Sequence, residues 1–212
     1  MDKENIILVG GGGHAKACID VIESCKNYNI LGYLDLKSSL DVEYNYIKYL
    51  GKDENAINLI DKASFIICVG QLDNGSKREN IFNTLVKLGA KFVTIISPNA
   101  YVSKRAIIGD GSIIMHGVII QAGVKIGMNC IVNDKALVEH DSTVGNHCHL
   151  STSCIVNGSV TIRDNVFIGS GANLKNGLII ESNSIIGMGS IVLKNVDSKS
   201  IMVGNPAKKI EL

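Results

Sequence analysis

Between residues 102 and 192, every sixth residue is Ile, Leu or Val. The run goes from Val102, Ile108 and Ile114 through to Ile186 and Val192, sixteen positions without an exception. These three residue types make up 65 of the 212 residues, under a third of the chain, so composition alone does not produce such a run. A helix repeats every 3.6 residues and a strand every two, and neither gives a period of six. The residue four places after each aliphatic is also restricted. Ala106, Ser112, Val118, Cys130, Ala136, Cys148 and Cys154 are all small or β-branched. One short strand and one sharp turn use up six residues. Each strand then points one large and one small side chain inward, and stacked coils align them into a continuous core. Gly and Asn are expected at the corners, where the backbone needs unusual angles.

Residues 1 to about 97 follow a different pattern. Strands are expected at Ile6–Val9, Ile30–Leu34, Phe65–Val69 and Phe92–Ile96, with a further short one at Tyr46–Leu50. Helices are expected from His14 to Cys25, over Asp53–Asp61, and from a cap at Asn74 or Ser76 to Leu88. Strands alternating with helices predict a parallel sheet covered on both faces. The expected fold class is therefore α/β plus all-β. A small Rossmann-like domain occupies residues 1–97, and a parallel β-helix with a C-terminal tail occupies residues 98–212.

Charge narrows the possible partners. Lys plus Arg is 21 and Asp plus Glu is 20, which leaves no electrostatic footprint for nucleic acid. No apolar run approaches the ~18 residues of a membrane span, and the N-terminus lacks a signal-peptide pattern. The six cysteines form no CxxC pair and are expected to be reduced and buried, as in a cytoplasmic protein.

Two segments carry chemistry. Gly10-Gly11-Gly12-Gly13-His14-Ala15 fits G-x-G-x-x-A, with Asp35 closing the second strand. Bare amides at a helix N-terminus hold a phosphate, which serves a dinucleotide or a nucleotide sugar equally well. A full dinucleotide fold needs two mononucleotide halves, and 97 residues hold little more than one, which favours a nucleotide sugar. The second segment is His140, between Glu139 and Asp141. An imidazole titrating near neutrality and oriented by a carboxylate suits proton removal from an attacking nucleophile. His147, Cys148 and His149 are adjacent in sequence, a spacing that rarely serves one metal ion, and no metal is expected.

The hexads over residues 100 to 207 resemble the left-handed β-helix of hexapeptide-repeat acyltransferases. Both halves together resemble one subgroup, the bacterial nucleotide-aminosugar N-acetyltransferases and their sialic acid O-acetyltransferase relatives. The segments that carry the likeness are Gly10 to Lys16, Tyr33-Leu34-Asp35, Val69-Gly70, Val138 to Asp141, His149-Leu150-Ser151 and Gly204 to Lys208. The resemblance implies about five triangular coils and a homotrimer with acetyl-CoA between neighbouring helices.

It also implies roles for particular residues. His140 would be the catalytic base and Asp141 its partner. Gly10, Gly12, Gly13, His14, Asp35, Gly70 and Asn133 would bind the nucleotide sugar, with Asp35 at the base and Asn133 facing the sugar. His149 would lie near the thioester, Gly158, Gly169 and Ser170 along the pantetheine arm, and Lys208 at the CoA phosphates. His116 is expected at the surface. Leu36 stands where uridine-nucleotide members carry a second acid, and Asp134-Lys135-Ala136 replaces small hydroxyl residues, so base and sugar stay open. The implied activity is acetyl transfer from acetyl-CoA to the amine of a nucleotide-linked 4-amino-4,6-dideoxy sugar for surface-glycan synthesis. The alternatives are sialic acid O-acetylation and a non-catalytic trimeric scaffold.

Overall fold

The computed structural model describes residues 3–73 and 75–211. In the N-terminal half, β1 (Glu4–Val9), β2 (Tyr28–Leu34) and β3 (Ser64–Ile67) form a parallel sheet in the order β2-β1-β3. Successive residues of β1 face opposite sides, so a strand buried on both faces must be apolar throughout. Ile6 and Leu8 pack under helix α1 (Gly13–Cys25), against Ala15, Cys18, Ile19 and Ile22. Ile7 and Val9 pack on the other side, against Phe82 and Leu85 of helix α2 (Ser76–Lys87).

Several local expectations differ from what is observed. Tyr46–Leu50 makes a single bridge, Tyr49 to Tyr33, and no strand. The helix expected at Asp53–Asp61 is a 3-10 helix over Asp53–Asn58. Gly75, in a left-handed conformation, precedes α2 with no side-chain cap, and Asn74 lies outside the described residues. Phe92–Ile96 divides between two sheets. Phe92 bridges Phe65 of β3, whereas Ile95–Ile96 pairs with Ile113–Ile114 in the β-helix. The chain therefore passes from one fold into the other within three residues.

From Ile95 on, two-residue strands recur every six residues and pair in parallel with strands eighteen residues away, as Ile131 pairs with Ile113 and His149. Sheets of eight, six and five strands form the three walls. The coils number about six rather than five, because Ile95–Ile96 and Ile201–Val203 extend the ladder at its ends. Fourteen of the sixteen aliphatic positions are buried, and Val102 and Ile108 at the open end are partly so. The corners depart from expectation. From residue 111 to 189 every sixth residue has positive φ, and Lys135, Asp141, His147, Ser153 and Ser159 hold that conformation alongside Gly and Asn. Ladder bonds on both sides of each corner hold these residues in place, against about 1–2 kcal/mol of intrinsic cost each.

The first wall is covered by the N-terminal half. Its outward residues Ile113 and Ile131 share one apolar cluster with Ile19 and Val21 of α1. Arg78 of α2 pins the junction and is fully buried. It donates to the carbonyls of Ile67 and Val69 at 2.7 Å and to Asn129 Oδ1 at 2.7 Å. Asn129 Nδ2 in turn meets His147 Nδ1 at 2.9 Å. Burial lowers the Arg78 pKa to about 10, which leaves it charged at neutral pH. Arg78→Ala would strand those acceptors in the interior, at about 1–3 kcal/mol each. The expected loss is about 3 kcal/mol or more in urea unfolding, with partial recovery in Arg78→Lys.

The second wall is uncovered. Its outward column, Tyr101, Ile119, Leu137, Ile155, Asn173 and Ile191, is apolar but for Asn173 and includes an unbroken aliphatic stripe from Ile119 to Ile155. Tyr101 is 59% exposed and Ile119 40%. The equivalent column of the third wall is Ile107, Lys125, Thr143, Thr161 and Ile179, polar through its middle three coils.

Candidate active site

A cleft of about 520 Å³ opens where the strand ends of the α/β sheet meet the first wall of the β-helix. Gly10, Gly12, Gly13, His14, Asp35, Gly70 and Asn133 all line it, so the structure brings together every residue expected to bind a nucleotide sugar. Gly10 has φ of +105°, and a Cβ there would sit 2.7 Å from Val69 Cγ2, so only glycine fits this turn. The next residues begin α1, which has no side-chain cap and no acidic residue in its first turn. Its free amides and the Lys77 side chain, which lines the same cleft, favour an anion.

Asp35 is more engaged than its expected contact with the base requires. Oδ2 accepts from Gly11 N at 2.9 Å and Ser39 Oγ at 2.6 Å, and Oδ1 accepts from Leu36 N at 2.7 Å. Burial would raise its pKa, but the bonds from Ser39, Gly11 and Leu36 outweigh burial and hold it below the usual value. Asp35 fixes the glycine loop.

His149 also lines this cleft, apart from the other residues expected to meet CoA. Its Nδ1 lies 2.7 Å from the Gln71 carbonyl, which only accepts, so Nδ1 carries the proton. Nε2 is buried without a partner. Burial, reinforced by His14 and Arg78, lowers the His149 pKa to about 4 against the Gln71 bond, and the ring is neutral. A bare Nε2 accepts and does not donate, so it cannot polarise an acyl oxygen in this tautomer. The shift also affects stability. The unfolded chain takes up a proton near pH 6.5, while the native ring resists until about pH 4. Native stability therefore falls as pH drops through that window, by about 3 kcal/mol. His149→Asn is expected to remove that part of the acid slope in denaturation curves.

His140 lies elsewhere, at the corner after the second-wall strand Leu137–Val138. Asp141 takes the left-handed conformation there, φ 60°, and its Oδ2 meets His140 Nδ1 at 2.9 Å. Glu139 reaches only the His140 backbone amide, at 3.4 Å. A Cβ at Gly158, one coil on, would lie 2.8 Å from His140 Nε2, so that glycine keeps the nitrogen open. The imidazole is exposed, at the edge of the aliphatic stripe.

The remaining residues expected at CoA do not line this cleft. Gly169 packs on the Gly187 backbone, Ser170 Oγ meets Ser151 Oγ at 2.9 Å, and Lys208 sits on the exposed C-terminal strand. His116 is not a plain surface residue, because Nδ1 meets Ser97 Oγ at 2.7 Å and Nε2 lies 3.2 Å from Asp20. Gln71, Lys77 and Ser151 also line the cleft and were not among the expected residues. Gln71 directly follows the Val69-Gly70 strand end, and Lys77 opens the next helix, which were the available signals.

A small α/β domain with a glycine loop opening its first helix, docked on a hexad-built β-helix, defines a two-part hexapeptide-repeat protein. Comparison with known proteins places it further. Residues 5–85 match the PglD N-terminal domain, and residues 105–140 match the bacterial transferase hexapeptide of six repeats. UDP-N-acetylbacillosamine N-acetyltransferase of Bacillus subtilis is 34% identical over 115 residues, 53% of this chain and 51% of that protein. The match thus spans about half the length of that curated relative. A variant of perosamine N-acetyltransferase from Caulobacter crescentus, solved with CoA and GDP-perosamine, is 29% identical. It has a TM-score of 0.90 over 98% of this chain and 97% of that one. The acetyltransferase domain of PglB from Neisseria gonorrhoeae, in complex with acetyl coenzyme A, is 28% identical. Its TM-score is 0.89 over 98% of this chain and 100% of that one. The two parts of the chain thus match the PglD N-terminal domain and the bacterial transferase hexapeptide, and over nearly its whole length the chain is similar in fold to the perosamine and PglB acetyltransferases.

Proposed function

We propose that this protein transfers the acetyl group of acetyl-CoA to the amine of a nucleotide-linked 4-amino-4,6-dideoxy sugar used in surface-glycan synthesis. The observation that carries this reading is the His140–Asp141 pair, with Nε2 kept clear by Gly158, on a chain whose separate glycine-lined cleft suits a nucleoside diphosphate. The Asp141 carboxylate accepts a hydrogen bond from Nδ1–H, which leaves Nε2 as the basic nitrogen. The sugar amine attacks the thioester carbon, Nε2 takes the proton the nitrogen loses, and CoA leaves as the thiolate. The Asp141 carboxylate stabilises the imidazolium so formed. Residues 1–97 hold the nucleotide and residues 98–212 hold CoA, with Gly158, Gly169, Ser170 and Lys208 along it.

The working form is a homotrimer in the cytoplasm. Its support is the uncovered aliphatic stripe, which a second copy would bury, with His140 at its edge. Each active site would then combine the base of one protomer with the cleft of its neighbour, which accounts for the separation of the two within one chain. Among the described residues no helix is long and apolar enough to cross a membrane.

The test is release of CoA thiol from acetyl-CoA with UDP-, dTDP- and GDP-linked 4-amino sugars, alongside free and CMP-linked sialic acid. Turnover with an aminosugar nucleotide is expected. Turnover with sialic acid alone overturns the reading.

A further inference from the structure

The cleft continues past Asp35 into a second hollow of about 360 Å³ that shares Gly10, Asp35, Val69 and Lys77 with the first. With the diphosphate at the glycine loop and Lys77, and the sugar toward Asn133 as the resemblance implies, this hollow is the space left for the nucleoside. Leu36, Val69 and Ile81 give it apolar sides, and Asp53 and Asn80 give it polar ones. A flat heterocycle needs that combination: apolar faces, and polar groups meeting its edge. Asp35 is committed to Gly11, Leu36 and Ser39. Among the described residues, Asp53 and Asn80 have no side-chain hydrogen-bond partner, and both line this hollow.

Their chemistry discriminates among bases. A carboxylate offers two acceptor oxygens side by side. Guanine presents two adjacent donors, N1–H and the N2 amino group, next to the O6 acceptor, which the Asn80 amide can donate to. Uracil and thymine present one N–H between two carbonyl oxygens, so the second carboxylate oxygen would face a lone pair. Adenine lacks the paired donors. We propose that Asp53, assisted by Asn80, determines base specificity and selects a guanosine diphosphate sugar.

This rests on the nucleotide-sugar reading of the cleft, and calorimetry on the full chain with GDP, IDP, UDP and dTDP separates the two. GDP is expected to bind at least about tenfold more tightly than UDP or dTDP. IDP differs from GDP only in lacking the N2 amino group and should lose about tenfold, a comparison that needs no variant. Asp53→Asn should lower GDP affinity about tenfold or more while changing UDP affinity less than about threefold. Tighter or equal binding of UDP or dTDP overturns the guanine assignment and leaves the nucleotide reading standing. A GDP preference unchanged in Asp53→Asn, together with IDP binding as well as GDP, overturns the role of Asp53. Binding of none of the four overturns the nucleotide reading itself, and this inference with it.

Discussion

His140→Ala is expected to lower kcat by about 10²–10⁴, the range set by losing a positioned general base. Binding of the nucleotide diphosphate should be unchanged, because His140 lies outside the cleft that the glycine loop builds. Fold and assembly should also persist, since the imidazole is exposed and its side-chain bond goes only to Asp141. Asp141→Asn keeps the left-handed corner, which Asn tolerates as well as Asp, but removes the charge that stabilises the imidazolium. A smaller loss of kcat at similar KM is expected. The pair of variants thus separates the base from its orienting group. Full turnover in His140→Ala, measured by thiol release, would remove His140 from the mechanism.

The second large effect is on assembly. Ile119 and Ile155 stand two coils apart in the outward column of the second wall. Replacing both with Glu places two charges on a surface that a neighbour would bury, where each unpaired charge costs several kcal/mol. The double variant is expected to sediment as a monomer, with its circular dichroism and its nucleotide affinity retained. Turnover should fall to background, because base and cleft then belong to separate molecules. A double variant that stays trimeric and active would place the interface elsewhere. Thr143→Glu and Thr161→Glu on the third wall serve as the control and should leave the assembly intact.

What was legible in the sequence follows from how each feature is encoded. The β-helix is written in a local repeat. Each hexad carries its own inward aliphatic and its own corner, so Val102 to Val192 could be read without knowing what packs on what. The glycine loop was legible for a similar reason, since Gly10 has a backbone geometry that excludes other residues. The corners were only partly legible. Lys135, His147 and Ser153 are held left-handed by the ladder around them, and nothing in their own chemistry asks for it.

Phe92–Ile96 read as one strand because its composition is uniform, while its two ends pair with partners far apart in sequence. Of the site, the individual residues were visible, and their grouping was not. The resemblance places His149 toward the thioester, and only the fold reveals the Gln71 carbonyl that fixes its tautomer. Asp35 could be seen as an acid after a strand, but its three protein donors come from residues 11, 36 and 39, brought together by the loop geometry. Arg78 gave no signal at all. Its partners Ile67, Val69 and Asn129 offer it backbone carbonyls and an amide, and such groups leave no mark in a sequence.

The most direct test of acetyl transfer to a nucleotide-linked amine is mass analysis of a GDP-, UDP- or dTDP-linked 4-amino sugar after incubation with the protein and acetyl-CoA. The account predicts that one of them gains a single acetyl group, that the gain survives mild alkali as an amide does, and that His140→Ala yields none. An acetyl group lost in alkali, as an ester is, or no acetylation of any nucleotide-linked amine, would contradict it.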